Sequence, residues 1–188
     1  RLSLVGSEMC IRDRPKYDWL HLHHEDFTGQ FGKFYKAYRT ATWYQDEVAS
    51  QNASAQIMGF QKVSEMKREV GVTIRNFVLG GGFLFTMCSG TDSYDISLAA
   101  QEVDICEAMF DGDPAESQAS SKLDFSEGFA FQNYNLEMDP LVYEFSNIDG
   151  TKDHAKLKPI NDFFTLFDFS AKWDIVPTML TQNHLRVI

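Results

Sequence analysis

Gly80-Gly81-Gly82-Phe83-Leu84-Phe85-Thr86-Met87-Cys88-Ser89-Gly90-Thr91-Asp92-Ser93 reads as a helix end, a strand, a sharp turn and the start of another helix. Three glycines terminate what precedes them. Phe83 to Met87 is a mostly apolar run, short enough for a buried parallel strand, and Ser89 to Ser93 supplies turn and cap chemistry before the apolar stretch Tyr94 to Ala100. Cys88 stands at the turn itself. A thiol facing a helix N-terminus meets backbone N–H groups and the positive end of the helix dipole, both of which favour negative charge.

Working outward, Val63 to Leu79 carries Val63, Met66, Val70, Ile74, Phe77 and Val78 on one face, with Lys62, Glu65, Arg68, Glu69 and Asn76 mainly elsewhere. The spacing predicts an amphipathic helix ended by Gly80. Further upstream, Tyr17 to His24 is predicted to be a strand running into the loop Glu25-Asp26-Phe27-Thr28-Gly29-Gln30. Phe31, Phe34, Tyr35 and Tyr38 recur at helical spacing, and Thr42-Trp43-Tyr44-Gln45 has the form of a capping box opening a helix to Met58, stopped by Gly59. A strand, then helices, then the 83–87 strand and another helix favour a parallel sheet with covering helices. Downstream, Phe129 to Tyr134, Leu141 to Phe145, Phe163 to Phe169 and Pro177 to Thr181 are further candidate strands, and residues 111–121 form a polar loop.

With 188 residues, 44% hydrophobic and 14% aromatic, the chain can bury one sizeable core. A net charge of −10 without any Lys/Arg cluster argues against a nucleic-acid partner, because phosphate neutralisation needs basic patches. Three cysteines do not make a disulfide scaffold, and no apolar run reaches the length of a membrane span. Leu4 to Asp13 is what one frame of a common transposase sequencing adapter encodes, so residues 1–14 are set apart as non-native. Residues 15–188 are then expected to be one partial domain, truncated at its C-terminus. Nothing in them assigns a compartment, and export stays open.

A cysteine at a strand-to-helix turn can attack a carbonyl carbon while the N–H groups of the turn hold the oxyanion that develops. Cys88 is accordingly the candidate nucleophile, with Ser89 and Gly90 bordering the substrate. A buried structural cysteine is the alternative. His24, Glu25 and Asp26 sit on a loop at the carboxyl end of a strand, where open α/β sheets place ligands, and they are candidate substrate-facing residues. His21, His23, His24, Glu25 and Asp26 suggest a metal cluster at first sight. Strand alternation, however, sends His21 and His23 to one face and His24 to the other, so no metal site is assigned.

Thr86-Met87-Cys88-Ser89-Gly90 resembles the Gly-x-Cys-x-Gly elbow of the class I glutamine amidotransferase-like fold, with Thr86 in place of the first glycine. Residues 81–90 also resemble the Gly-Gly-rich strand and elbow of the related domain found in some biotin protein ligases. A longer resemblance, covering nearly all of 15–188, is to a bacterial family common in Bacteroidetes and usually labelled asparagine synthetase B. It is carried by residues 16–30, 62–67, 103–114 and 169–174. These resemblances imply a flavodoxin-like three-layer α/β sandwich with a mainly parallel sheet. They also imply a Cys-dependent amidotransferase or amidohydrolase acting on a small-molecule amide; the label implies ATP-dependent amide transfer to aspartate, but the residues for it are hard to find and no cofactor is assigned. The amidotransferase pattern asks for a histidine after a late strand, followed two residues later by a glutamate. His184 takes that place, with Arg186 where the acid would stand. A catalytically inactive member that binds a small ligand or a partner at the same crevice is the alternative.

Overall fold

The structure is a computed structural model, and it describes residues 18–149. Among these residues it is a mixed α/β arrangement around two parallel strands, β1 (Trp19–His23) and β2 (Phe83–Met87). The register pairs Trp19 with Phe83 and His23 with Met87, so the strands end level with each other. The helices are α1 (Tyr35–Tyr38), α2 (Thr42–Ile57), α3 (Val63–Leu79), α4 (Ser89–Ala99) and α5 (Ala108–Asp111).

Helix α3 forms over the span its periodicity predicts, and Val63, Met66, Val70 and Ile74 are buried. Glu65 begins the helix by accepting from the backbone N–H groups of Gln61 and Lys62 at 3.1 and 3.2 Å, which satisfies donors that a helix start leaves unpaired. One core lies between the sheet and the helices: Leu22 and Phe27 pack with Val70 and Ile74 of α3 and Tyr94 and Leu98 of α4, with Leu20 and Leu84 alongside. Each such aliphatic side chain contributes about 1.5–3 kcal/mol on burial. Two glycines allow the close approaches. A Cβ on Gly71 would lie 2.8 Å from Ser97 Oγ, so α3 and α4 cross where the side chain is missing. A Cβ on Gly82 would lie 2.3 Å from the Phe77 ring, which folds back over the chain as it enters β2.

Among the described residues, no element covers the opposite face of the sheet. Trp19, His21, His23, Phe83 and Phe85 are exposed there, with Trp19 edge-on to Phe83 at 5.4 Å and His21 against Phe85 at 5.2 Å. Among the described residues, the 83–87 run is packed on one face, with Phe83 and Phe85 exposed on the other.

Several elements differ from the sequence reading. Helix α4 starts at Ser89, directly after Cys88, so residues 89–93 are its first turns and not a separate loop. Residues 31–39 do not form one helix: Phe31, Gly32 and Lys33 form a single tight turn with positive φ (51°, 67° and 53°), and only Tyr35–Tyr38 is α-helical. The Asp26 carboxylate accepts from Gly32 N at 2.9 Å, which holds that left-handed turn. The capping box at Thr42 is not formed, because Thr42 is already inside α2 and Ala41 occupies the N-cap position.

Residues 129–134 and 141–145 are not strands. The N–H groups of Phe129, Ala130 and Phe131 donate to the buried Asp95 carboxylate at 2.6, 3.1 and 2.7 Å, so they have no need of a neighbouring strand. The chain at 136–146 closes through one antiparallel bridge, Leu136 with Ser146. Its two sides are pinned by the buried Lys33 ammonium, which donates to Glu137 O at 2.7 Å and Glu144 O at 2.9 Å. The candidate strands at 163–169 and 177–181 lie outside the described residues.

Candidate functional site

Cys88 occupies the single residue between β2 and α4 and is half-buried. Its backbone sits at φ 56°, ψ −139°. Only glycine visits that region at low cost, so a side chain held there stores strain of about 1–3 kcal/mol. The chain tolerates it because both sides of the turn are fixed. β2 is held in register by β1, and the next N–H that can reach back, Thr91 N, bonds Cys88 O at 3.0 Å. Ser89 and Gly90 open the helix, where N–H groups have no carbonyl of the same helix to bond. Such a turn presents a thiol at the end of the sheet with backbone donors beside it, the arrangement of a nucleophile elbow.

The loop after β1 is stitched to this helix by Ser93. Its hydroxyl donates to Glu25 O at 3.0 Å and accepts from Phe27 N at 3.4 Å. Glu25 thereby lies against Gly90: a Cβ built on Gly90 would be 3.6 Å from Glu25 Oε2. That oxygen is buried without a hydrogen-bond partner among the described residues. Burial raises the Glu25 carboxyl above its ordinary range, against the opposing pull of its own N–H and that of His23 and the charges of Lys67 and His23. His24 adjoins it on the chain at φ 64°, exposed, with its ring edge-on to His23 and the two Nδ1 atoms 2.7 Å apart.

Asp26, expected to face substrate, turns inward. Oδ1 accepts from Thr28 N and Oγ1 at 2.7 and 2.6 Å, and Oδ2 accepts from Gly32 N, so both oxygens organise the loop. His24, Glu25, Cys88, Ser89 and Gly90 are brought together at one end of the sheet. His184 lies outside the described residues.

Two further groups near the elbow carried no sequence signal. Asp92, one turn into α4, is buried, and desolvation together with the charge of Asp149 pushes its carboxyl up to about 7. Its place in Thr91-Asp92-Ser93 reads as turn polarity until the helix is known to start at Ser89. The Tyr143 phenol lies within electrostatic range of Cys88, Asp149, Asp92 and Glu144, and burial foremost raises its pKa, which keeps it a proton donor. Only the tertiary path of 136–146 brings it there.

A second polar cluster forms elsewhere, where three of the segments 16–30, 62–67 and 103–114 meet. The carboxylates of Asp104 and Asp111 and the Cys106 thiol offer donor atoms within 4.8 Å of one another. A cation is already supplied. Lys62 Nζ lies 3.3 Å from Asp104 and 3.4 Å from Asp111 and is also bonded to Asp113, which raises its pKa. Cys106 is buried, its thiol pushed well up by desolvation, and it donates to Thr28 O at 3.2 Å. This cluster ties the β1 loop to the chain beyond α4.

No described helix is long and apolar enough to cross a membrane. Comparison with protein-family models, with curated proteins and with solved structures finds no match.

Proposed function

We propose that the chain is a Cys-dependent amidotransferase or amidohydrolase-like enzyme acting on a small-molecule amide, with Cys88 as nucleophile. The proposal extends to its architecture, a flavodoxin-like three-layer sandwich of which β1, β2, α3 and α4 are part, and to kinship with the bacterial family labelled asparagine synthetase B. The observation that carries it is the backbone of Cys88, held at φ 56°, ψ −139° in a one-residue turn between a parallel strand and a helix. Strain of that kind persists where the surrounding structure imposes it, and functional sites are where it collects.

The chemistry follows from the placement. The Cys88 sulfur attacks the amide carbon as its proton passes to a base, and a C–S bond forms. The oxyanion is held by the N–H groups of Ser89 and Gly90. The tetrahedral species then expels nitrogen, protonated to ammonia as the C–N bond breaks, and water hydrolyses the resulting thioester to acid and free thiol.

The test is ammonia release from glutamine and a panel of small primary carboxamides by the purified protein. Saturable release that disappears in Cys88→Ala supports the reading. Release that survives Cys88→Ala overturns it, as does ligand-induced thermal stabilisation without any release, which is the behaviour of a catalytically silent binding protein.

A further inference from the structure

Both strands of the sheet end in a side-chain-bearing residue forced into positive φ. Beyond β1 this is His24 (φ 64°), and beyond β2 it is Cys88 (φ 56°). The register sets His23 against Met87, so His24 and Cys88 are the residues that directly follow the last paired positions. The pairing is still felt there, since His24 N–H reaches Met87 O at 3.5 Å. Two costly backbone conformations at adjacent positions, on an imidazole and a thiol, are hard to assign to packing, because the His24 ring is exposed and Cys88 only half-buried.

The surroundings of His24 add to this. Its Nδ1 lies 2.7 Å from Nδ1 of His23, and at that separation one nitrogen donates and the other accepts. When His24 is the donor, its Nε2 is left as an acceptor. His23 in turn lies in the field of Glu25, whose buried Oε2 has no partner among the described residues and faces Gly90 of the elbow helix. A histidine held in one tautomer by a second group, with a carboxylate behind it, is the arrangement that lets an imidazole take a proton from a neighbouring nucleophile.

We propose that His24 is the general base of the elbow, accepting the Cys88 thiol proton on Nε2, with His23 and Glu25 as positioning residues that fix its tautomer and stabilise the imidazolium. In this step the S–H bond breaks, an N–H bond forms on His24, and the sulfur keeps the electron pair with which it attacks. The inference rests on Cys88 being the nucleophile and deepens that reading, since it locates the base just past the end of β1 and not on a distant part of the chain.

The experiment is the rate of Cys88 carbamidomethylation by iodoacetamide at pH 7, followed peptide by peptide by mass spectrometry, so that no substrate need be known. His24→Asn and His24→Gly both tolerate positive φ and keep the turn. Each is expected to slow Cys88 modification about tenfold or more, and added imidazole is expected to restore the rate in His24→Gly. His21→Asn, on the same sheet but away from the elbow, should react like wild type. Wild-type rates in both His24 variants overturn the proposal. So does a loss that imidazole does not rescue in a variant whose circular dichroism and unfolding midpoint are unchanged. Thiol activation that depends on His24 without any amide turnover leaves this inference standing and removes the proposed reaction. Turnover that needs Cys88 but is indifferent to His24 does the reverse.

Discussion

Replacing Cys88 by glycine and by alanine separates the strain of the elbow from the chemistry of its thiol. Alanine keeps a Cβ at φ 56°, ψ −139° and so keeps the steric conflict, whereas glycine removes it. Relief of such a conformation is worth about 1–3 kcal/mol. The ordinary cost of glycine, which comes from the added freedom of the unfolded chain, is about 0.4–1 kcal/mol and works the other way. The difference leaves Cys88→Gly more stable than Cys88→Ala by roughly 1–2 kcal/mol, the reverse of the usual order. Both variants lose the same half-buried thiol, so that contribution cancels. Equilibrium unfolding in urea, with m-values required to agree, measures the difference directly, and the melting temperatures should separate by about 2–8 °C. Should alanine prove equal to or more stable than glycine, Cys88 does not sit in a strained turn and the elbow reading loses its physical basis.

Three other outcomes follow from buried charge. Asp95→Ala removes the acceptor of three backbone N–H groups at 129–131 and is expected to cost about 2–4 kcal/mol in urea unfolding, less than three full charged bonds because the carboxylate is itself desolvated; a loss under about 1 kcal/mol counts against its pinning role. The Asp92 carboxyl, raised from 3.8 to about 7, holds its proton more tightly in the folded than in the unfolded chain. Its contribution is therefore present below about pH 4 and lost as pH rises through 7, so Asp92→Asn should gain on wild type up to a ceiling of roughly 4 kcal/mol at pH 8 but not at pH 4. Equal gains at both pH values would refute it. Lys33, lowered from 10.5 to about 8 chiefly by burial, gives the opposite slope: stability should rise between pH 8 and 10.5, by up to roughly 3 kcal/mol, and Lys33→Met should flatten that rise in a pH series of unfolding curves.

What could be read from the sequence was local. Helix α3 shows itself because Val63, Met66, Val70 and Ile74 repeat at the helical period, and β2 because an apolar run stands between three glycines and a turn. The start of α4 is hidden, since Ser89-Gly90-Thr91-Asp92-Ser93 has the composition of a loop. It becomes helical because the strand ends abruptly at Cys88 and Ser93 bonds back to the loop after β1. Residues 129–134 and 141–145 look like strands by their aromatic and β-branched content. Their backbone groups are instead taken by Asp95 and Lys33, partners 34 and 111 positions away for the contacts at Phe129 and Glu144. The site divides in the same way. Cys88 and the His24–Glu25 loop were each visible as candidates, but their meeting depends on the register of two strands separated by three helices. Asp92 enters only through its burial in α4, and Tyr143 only through the tertiary path of 136–146.

The central claim is that Cys88 is presented to an amide substrate as a nucleophile. A thiol-directed glutamine analogue, applied to the protein and read by peptide mass spectrometry, tests it most directly. Labelling should fall on Cys88, leave the buried Cys106 untouched, and be slowed by free glutamine in proportion to its concentration. Absence of reaction at Cys88, or labelling that glutamine does not slow, would contradict the claim.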